Sequence, residues 1–256
     1  MKIETILTPA ELPALAQRDL RATACVVFDV LRATSTFVTA LHHGAQAIIP
    51  VSEIAEAIVI RKRQPDVLLG GERNGVRIST EGIDFDLGNS PREYTPEKVR
   101  GKTIVSTTTN GTRALRACVG AKTILASSFL NLGATAEFLR QKNFSHVLLV
   151  CAGTGENTAL EDVLAAGALC ELLLDEPLSP ALSPFGRGEG VDDSAQIALR
   201  TYLEAKSELA AALGSSENAR RLLAIPELRD DVAYCLQRDI CPLVAKMKAD
   251  GAIRRE

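Results

Sequence analysis

Val26-Val-Phe-Asp-Val-Leu-Arg-Ala-Thr-Ser-Thr36 decides the fold. An apolar β-branched run stops at Asp29, Arg32 follows three residues later, and Thr34, Ser35 and Thr36 open a helical pattern. Strand, short loop and helix in that order form the repeating unit of an α/β protein. Ligands of such sheets bind where strands end, and helix N-termini present free N–H groups to anions. Two readings are open for this stretch. Asp29, Arg32, Thr34 and Ser35 together hold a metal ion and an oxyanion, or Asp29 pairs with Arg32 while Thr34 or Ser35 caps the helix.

The same alternation extends in both directions. Runs of about 4–8 residues read as buried strands at Ile3–Leu7, Ala24–Phe28, Ala47–Val51, Val67–Gly70, Lys102–Ser106, Thr123–Ala126 and His146–Val150. Helical patterns fall at Ser35–His43, Ile54–Arg63 and Leu132–Lys142. This spacing predicts a three-layer α/β/α domain over residues 1–256, with a mostly parallel or mixed sheet. The last third reads as helical, over Ala159–Leu174, Asp193–Leu213 and Glu227–Arg238. It packs on the sheet or forms a subunit contact, which leaves a homo-oligomer open. Residues 177–190 carry too much Pro and Gly for a helix or strand and read as a flexible surface loop or insertion. The Gly-rich interval Gly70–Pro96 reads as a long connection without clear periodicity.

Charged and hydroxyl groups recur where strands end. Glu72-Arg73 follows Leu69-Gly-Gly, with Asp86 or Asn89 further along the same loop. Ser106-Thr-Thr-Thr-Asn-Gly-Thr-Arg113 carries a hydroxyl, amide or guanidinium at every position but Gly111, which suits a phosphate or sulfonate. Cys151-Ala-Gly-Thr-Gly-Glu-Asn-Thr-Ala-Leu-Glu-Asp162 places Glu161 and Asp162 in the first turn of a helix. The helix dipole favours acids there, so a plain structural role competes with a ligating one. Likewise Gly70-Gly71 reads equally as an ordinary turn, and Thr112 as an N-cap.

Composition removes several classes of function. The 29 Lys+Arg against 32 Asp+Glu give a net charge of −3, without the basic excess of a nucleic-acid binder. Three histidines, two of them adjacent, are poor material for a zinc hydrolase, so any metal would be a hard cation held by carboxylates and water. The six cysteines form no Cys-x-x-Cys pair and read as buried hydrophobes in a reducing compartment. No secretory pattern or membrane span is evident, and the expected location is the cytoplasm. Walker, Cys-x5-Arg and Gly-x-Ser-x-Gly signatures are missing, and Asp29 is followed by Val30 and Leu31 rather than by the second Asp of an Asp-x-Asp site. Cys151 therefore lacks the arginine a cysteine phosphatase needs.

The segments Phe28–Thr36, Gly70–Arg73, Phe85–Pro91, Thr107–Arg113 and Cys151–Gly153 resemble, in order and spacing, those of the 2-phosphosulfolactate phosphatase family over residues 1–175. Asp192-Asp-Ser-Ala195 extends the likeness, while 177–190 departs from it. The resemblance implies Mg2+-dependent hydrolysis of 2-phospho-3-sulfolactate to 3-sulfolactate and phosphate, a step of the coenzyme M biosynthesis type. Mg2+ would then fall to Asp29 and Glu72, with Glu161 or Asp162 as further ligands. Asp29, Arg32 and Arg113 would form the catalytic set, and Thr34, Ser35, Arg73, Thr108, Thr109, Asn110 and Thr112 would bind the substrate. The alternatives are a phosphatase of another small phosphorylated organic acid and a non-catalytic anion-binding module.

Overall fold

The computed structural model describes residues 1–80, 83–174 and 190–256; all but the last residue of the 177–190 stretch lies outside them. Twelve strands are formed: β1 Lys2–Ile6, β2 Thr23–Phe28, β3 Ala47–Pro50, β4 Leu68–Arg73, β5 Val76–Arg77, β6 Ser79–Thr80, β7 Ile83–Asp84, β8 Thr103–Thr107, β9 Thr123–Ser127, β10 His146–Cys151, β11 Ala245–Met247 and β12 Ile253–Arg255. The helices are α1 Leu12–Leu15, α2 Ala33–His42, α3 Ile54–Arg63, α4 Pro96–Val99, α5 Gly111–Ala117, α6 Leu132–Gln141, α7 Leu160–Leu173, α8 Asp193–Ala205, α9 Leu209–Gly214, α10 Glu217–Leu223 and α11 Arg229–Cys235. All seven expected strands are present.

The main sheet runs β1-β10-β2-β9-β11-β12-β3-β8-β4-β5. It consists of two parallel blocks, β1-β10-β2-β9 and β3-β8-β4. The antiparallel hairpin β11–β12 joins them, with β11 on β9 and β12 on β3. The sequence reading did not include these two strands. Each has only three residues, and Lys246, Lys248, Arg254 and Arg255 hide their alternation. The described part of the C-terminal third is otherwise helical, in α7 to α11; the long run expected from Asp193 breaks at a 3-10 turn over Lys206–Glu208.

Strand pleating divides the core in two. Ala24, Val26 and Phe28 of β2 join an outer cluster with residues of α6, α7, α8, α10 and α11. Cys25 and Val27 point the other way, into a cluster around α2 and α5. Residues from both parallel blocks, including Leu148, Val150, Ile48 and Ile104, surround α2. Nine of its ten residues are buried. The buried hydroxyls of α2 are satisfied locally, as burial requires: Ser35 donates to the Val30 carbonyl, Thr36 to the Asn89 carbonyl and Thr39 to the Ser35 carbonyl.

Wrapping around α2 has a geometric effect. In a flat sheet, β2 and β8 would stand five strand spacings apart, about 24 Å. Yet a Cβ built on Gly111, just after β8, would lie 2.7 Å from Asp29 Oδ2, just after β2. The sheet curls until the two blocks meet at their strand ends.

Candidate functional site

Asp29 ends β2, and its carboxylate turns back over the start of α2. Oδ1 accepts the Ala33 N–H at 3.0 Å. Thr34 fixes the loop from below, accepting from the Asp29 N–H at 3.0 Å and donating to the Asp29 carbonyl at 2.9 Å. Neither Thr34 nor Ser35 caps the helix through its side chain; Arg32 occupies the cap position, and the Leu31–Arg32 peptide bond is cis. Burial, together with the nearby charges of Glu72 and Glu161, pushes the Asp29 carboxyl up to about 6, against the opposing pull of the Ala33 and Gly111 N–H groups.

Glu72 ends β4 and closes the β4–β5 turn. Oε2 accepts the Gly75 N–H at 2.7 Å, and Oε1 accepts the N–H and hydroxyl of Thr109 at 3.0 and 2.9 Å. Gly71 makes this approach feasible, because a Cβ there would stand 2.2 Å from the Thr107 carbonyl oxygen. Thr108 and Thr112 bond to each other at 3.1 Å beside Thr109, and Asn110 Oδ1 accepts the Gly155 N–H at 3.2 Å. The hydroxyl-rich loop after β8 thus bridges β4 on one side and the β10–α7 loop on the other.

The third strand end contributes Glu161 and Asp162. Asp162 accepts the Val30 N–H at 2.8 Å and the Gly153 N–H at 3.0 Å, tying the β2 and β10 loops together. Burial and the charges of Glu161 and Asp29 hold its carboxyl well above the usual range. Glu161 Oε1 accepts from Asn218 Nδ2 at 2.6 Å, whereas Oε2 is buried with no hydrogen-bond partner. Burial raises the Glu161 carboxyl too, opposed by Asn218. Three carboxylates, Asp29, Glu72 and Glu161, therefore share one buried region. Asp29 keeps 8% and Glu72 7% of its surface, so solvent reaches the edge of the cluster, while Glu161 keeps 1%.

The arginines are placed differently from one another. Arg32 is buried and bonds Asp231 Oδ2 at 2.7 Å and the Gly75 carbonyl at 2.9 Å. Arg73 donates to the Glu72 carbonyl at 2.8 Å and to Thr107 Oγ1 at 3.0 Å, bracing neighbouring strand ends. Arg113 lies at the surface and pairs with Glu156 of the β10–α7 loop. Asp86 bonds the Leu69 N–H and pairs with Arg61. Cys151 is buried within β10, and burial pushes its thiol well up, which opposes a nucleophilic thiolate. A cavity of about 260 Å³ on α3, lined by Ile58, Arg61, Lys62, Leu69, Ile83 and Asp84, is separate from the carboxylates.

The 2-phosphosulpholactate phosphatase family model matches residues 7–250. The chain belongs to the 2-phosphosulfolactate phosphatase family. Relatives named probable 2-phosphosulfolactate phosphatase include one from Caldanaerobacter subterraneus subsp. tengcongensis, 39% identical over 94% of both chains. Another from Thermotoga petrophila is 42% identical over 84% of this chain and 85% of its own. A third from Synechococcus sp. (strain JA-3-3Ab) is 37% identical over 96% of this chain and 93% of its own. The family is one of phosphoric monoester hydrolases, which replaces the reading of a non-catalytic anion-binding module.

Within this 2-phosphosulfolactate phosphatase family fold, the strand-end loops anticipated from sequence converge on one region. Asp231 and Asn218, which touch Arg32 and Glu161, were not read from the sequence. They lie on short helices 199 and 57 residues away from those partners, and nothing local marks them. No helix among the described residues is long and apolar enough to cross a membrane.

The donor chemistry fits a hard divalent cation. It consists of carboxylate oxygens, with one buried oxygen unpaired and neighbouring carboxylates repelling one another. Among the described residues no group of three or more His, Cys, Asp and Glu forms a ready-made cage. Mg2+ is commonly held by one or two carboxylates, with water and substrate phosphate completing its shell.

Proposed function

We propose that the chain hydrolyses 2-phospho-3-sulfolactate to 3-sulfolactate and inorganic phosphate, a step of the coenzyme M biosynthesis type, with Mg2+ at the carboxylate cluster. The observation that carries this reading is the meeting of Asp29, Glu72 and Glu161 beside a loop of hydroxyls, with Glu161 Oε2 left unpaired. Asp29 and Glu161 would hold the ion, with Glu72 and Asp162, whose oxygens accept N–H or O–H donors, bracing the loops around them. When bound, Mg2+ would neutralise charge on the phosphoryl oxygens and acidify a coordinated water.

The chain's own residues do the rest. Phosphoryl transfer depends on positioning and charge stabilisation more than on covalent chemistry. The Thr108–Thr112 loop would bring the Asn110 amide and the paired Thr108 and Thr112 hydroxyls to a phosphate or sulfonate, while the Thr109 N–H and hydroxyl hold the loop to Glu72. Asp29, at the solvent-reached edge of the cluster, would serve either as ligand to the ion or as base toward an attacking water. Arg113, at the surface beside this loop, would exchange Glu156 for a substrate anion.

The test is phosphate release from 2-phospho-3-sulfolactate by the full chain, with Mg2+ and with EDTA, against a series of phosphorylated organic acids. Hydrolysis that needs Mg2+, prefers phosphosulfolactate and falls by at least 10²-fold in Asp29→Asn supports the reading. Wild-type turnover in Asp29→Asn rejects Asp29 as base or ligand. A preference for another phosphorylated acid moves the substrate.

A further inference from the structure

We infer that Asn218, from α10, is the positioning residue that fixes Glu161 as a one-oxygen donor in the carboxylate cluster. This inference rests on the proposed Mg2+ site.

Asn218 is buried, and its Nδ2 has two acceptors at 2.6 Å, Glu161 Oε1 and Thr154 Oγ1. Both amide hydrogens of one nitrogen are therefore used, which fixes the side chain between α7 and the β10–α7 loop. Glu161 then has one oxygen committed and the other buried without a partner. The Ser216 hydroxyl and the Arg221 charge also favour this carboxylate, but Oε2 makes no hydrogen bond, and with Asp29 and Asp162 close by it is the oxygen a cation would take. Asn218 supplies no charge and holds Oε1 of Glu161, leaving Oε2 as the uncommitted oxygen. Without Asn218, Glu161 would be free to rotate or to take a proton in place of an ion. The helix that carries Asn218 is itself anchored, because Ser216 caps it by accepting the Ala219 N–H at 3.1 Å. Partners that orient a ligating group are typically worth about 10–100-fold in metal affinity.

The experiment uses Asn218→Leu, close in volume and without donors, in the full chain. Mg2+ is titrated alone, and the midpoint of the Mg2+-induced rise in unfolding temperature is read together with the unfolding temperature in EDTA. The expected result is a midpoint raised about 10–100-fold while the metal-free unfolding temperature stays within a few degrees of wild type. Asn218→Ser, smaller and polar, should show the same shift if Asn218→Leu folds poorly. Thr154→Val removes the other acceptor that holds Asn218 and should raise the midpoint by clearly less than Asn218→Leu. A wild-type midpoint in both Asn218 variants overturns the inference while the Mg2+ site stands. A midpoint shifted as far by Thr154→Val also overturns it, by assigning the effect to the loop. Absence of any Mg2+ response in the wild-type chain removes the Mg2+ reading itself, and the inference with it.

Discussion

Replacing Arg32 by Met gives a sharp test of how the site is held together. Arg32 is 3% exposed and Asp231 fully buried, with Nη1 2.7 Å from Asp231 Oδ2. Nη2 donates to the Gly75 carbonyl at 2.9 Å, and the Gly75 N–H in turn bonds Glu72. Arg32→Met keeps most of the side-chain volume but leaves Asp231 charged and buried, with the Ser90 hydroxyl and the more distant, half-exposed Arg92. Removing one partner of a buried pair costs about 3–5 kcal/mol. For a chain of this size each kcal/mol lowers the unfolding temperature by roughly 2–4 °C, so a drop on the order of 6–20 °C is expected. Calorimetric unfolding of the metal-free chain measures it. The double variant Arg32→Met/Asp231→Leu removes both charges and should recover most of the loss. Its turnover should nevertheless stay low, because the tether from Arg32 to the Glu72 turn is gone. A wild-type unfolding temperature in Arg32→Met would refute the reasoning, since Asp231 would then have to tolerate burial alone.

Three further outcomes follow from the geometry. Gly111→Ala places a methyl 2.7 Å from Asp29 Oδ2 and 2.8 Å from Ala33 Cβ; overpacking should cost about 1–3 kcal/mol in urea unfolding and lower kcat more than it raises KM. The raised Asp29 carboxyl sets a pH dependence in EDTA. A folded value near 6 against an unfolded 3.8 contributes stability at low pH that is lost as pH rises through 6, up to roughly 3 kcal/mol. Asp29→Asn should therefore match wild type near pH 4 and exceed it in stability at pH 7; equal slopes of stability with pH would contradict this. Ile253→Ala, at the fully buried position of the strand that pairs with β3, should cost about 2–5 kcal/mol in thermal unfolding; a cost below 1 kcal/mol would show that the hairpin adds little to the sheet.

Much of the architecture was written locally in the chain. Val147–Val150 and Ala24–Phe28 are unbroken apolar runs because both faces of those strands are covered, and such runs need no partner information to be recognised. The strand-end loops were legible for the same reason, since polar residues begin where burial stops. What each polar group bonds was not legible. Thr34, Ser35 and Thr36 read as an anion cradle, but their hydroxyls bond the Asp29 backbone and the Val30 and Asn89 carbonyls, because α2 is buried and its hydroxyls must be satisfied where they stand. Arg32 and Arg113 look alike in sequence. One is buried against a carboxylate 199 residues away and the other is at the surface, and only the tertiary fold separates them. The hairpin at 245–255 was missed because three-residue strands carry too little periodicity to stand out among lysines and arginines.

The place of that hairpin bears on how the protein is made. Among the described residues, the two parallel blocks pair strand to strand only through residues 245–255. As the chain leaves the ribosome, each block can gather its own strands, but the sheet stays divided until those residues have been synthesised. Closing it joins β9 to β3 across contacts more than 100 residues apart in sequence, the kind of pairing that slows folding and leaves strand edges exposed to other chains. The carboxylates of β2 and β4 come from opposite blocks, so the protein has no partly working precursor. The acidic cluster and its unfavourable repulsion come into being only when the two blocks are brought together.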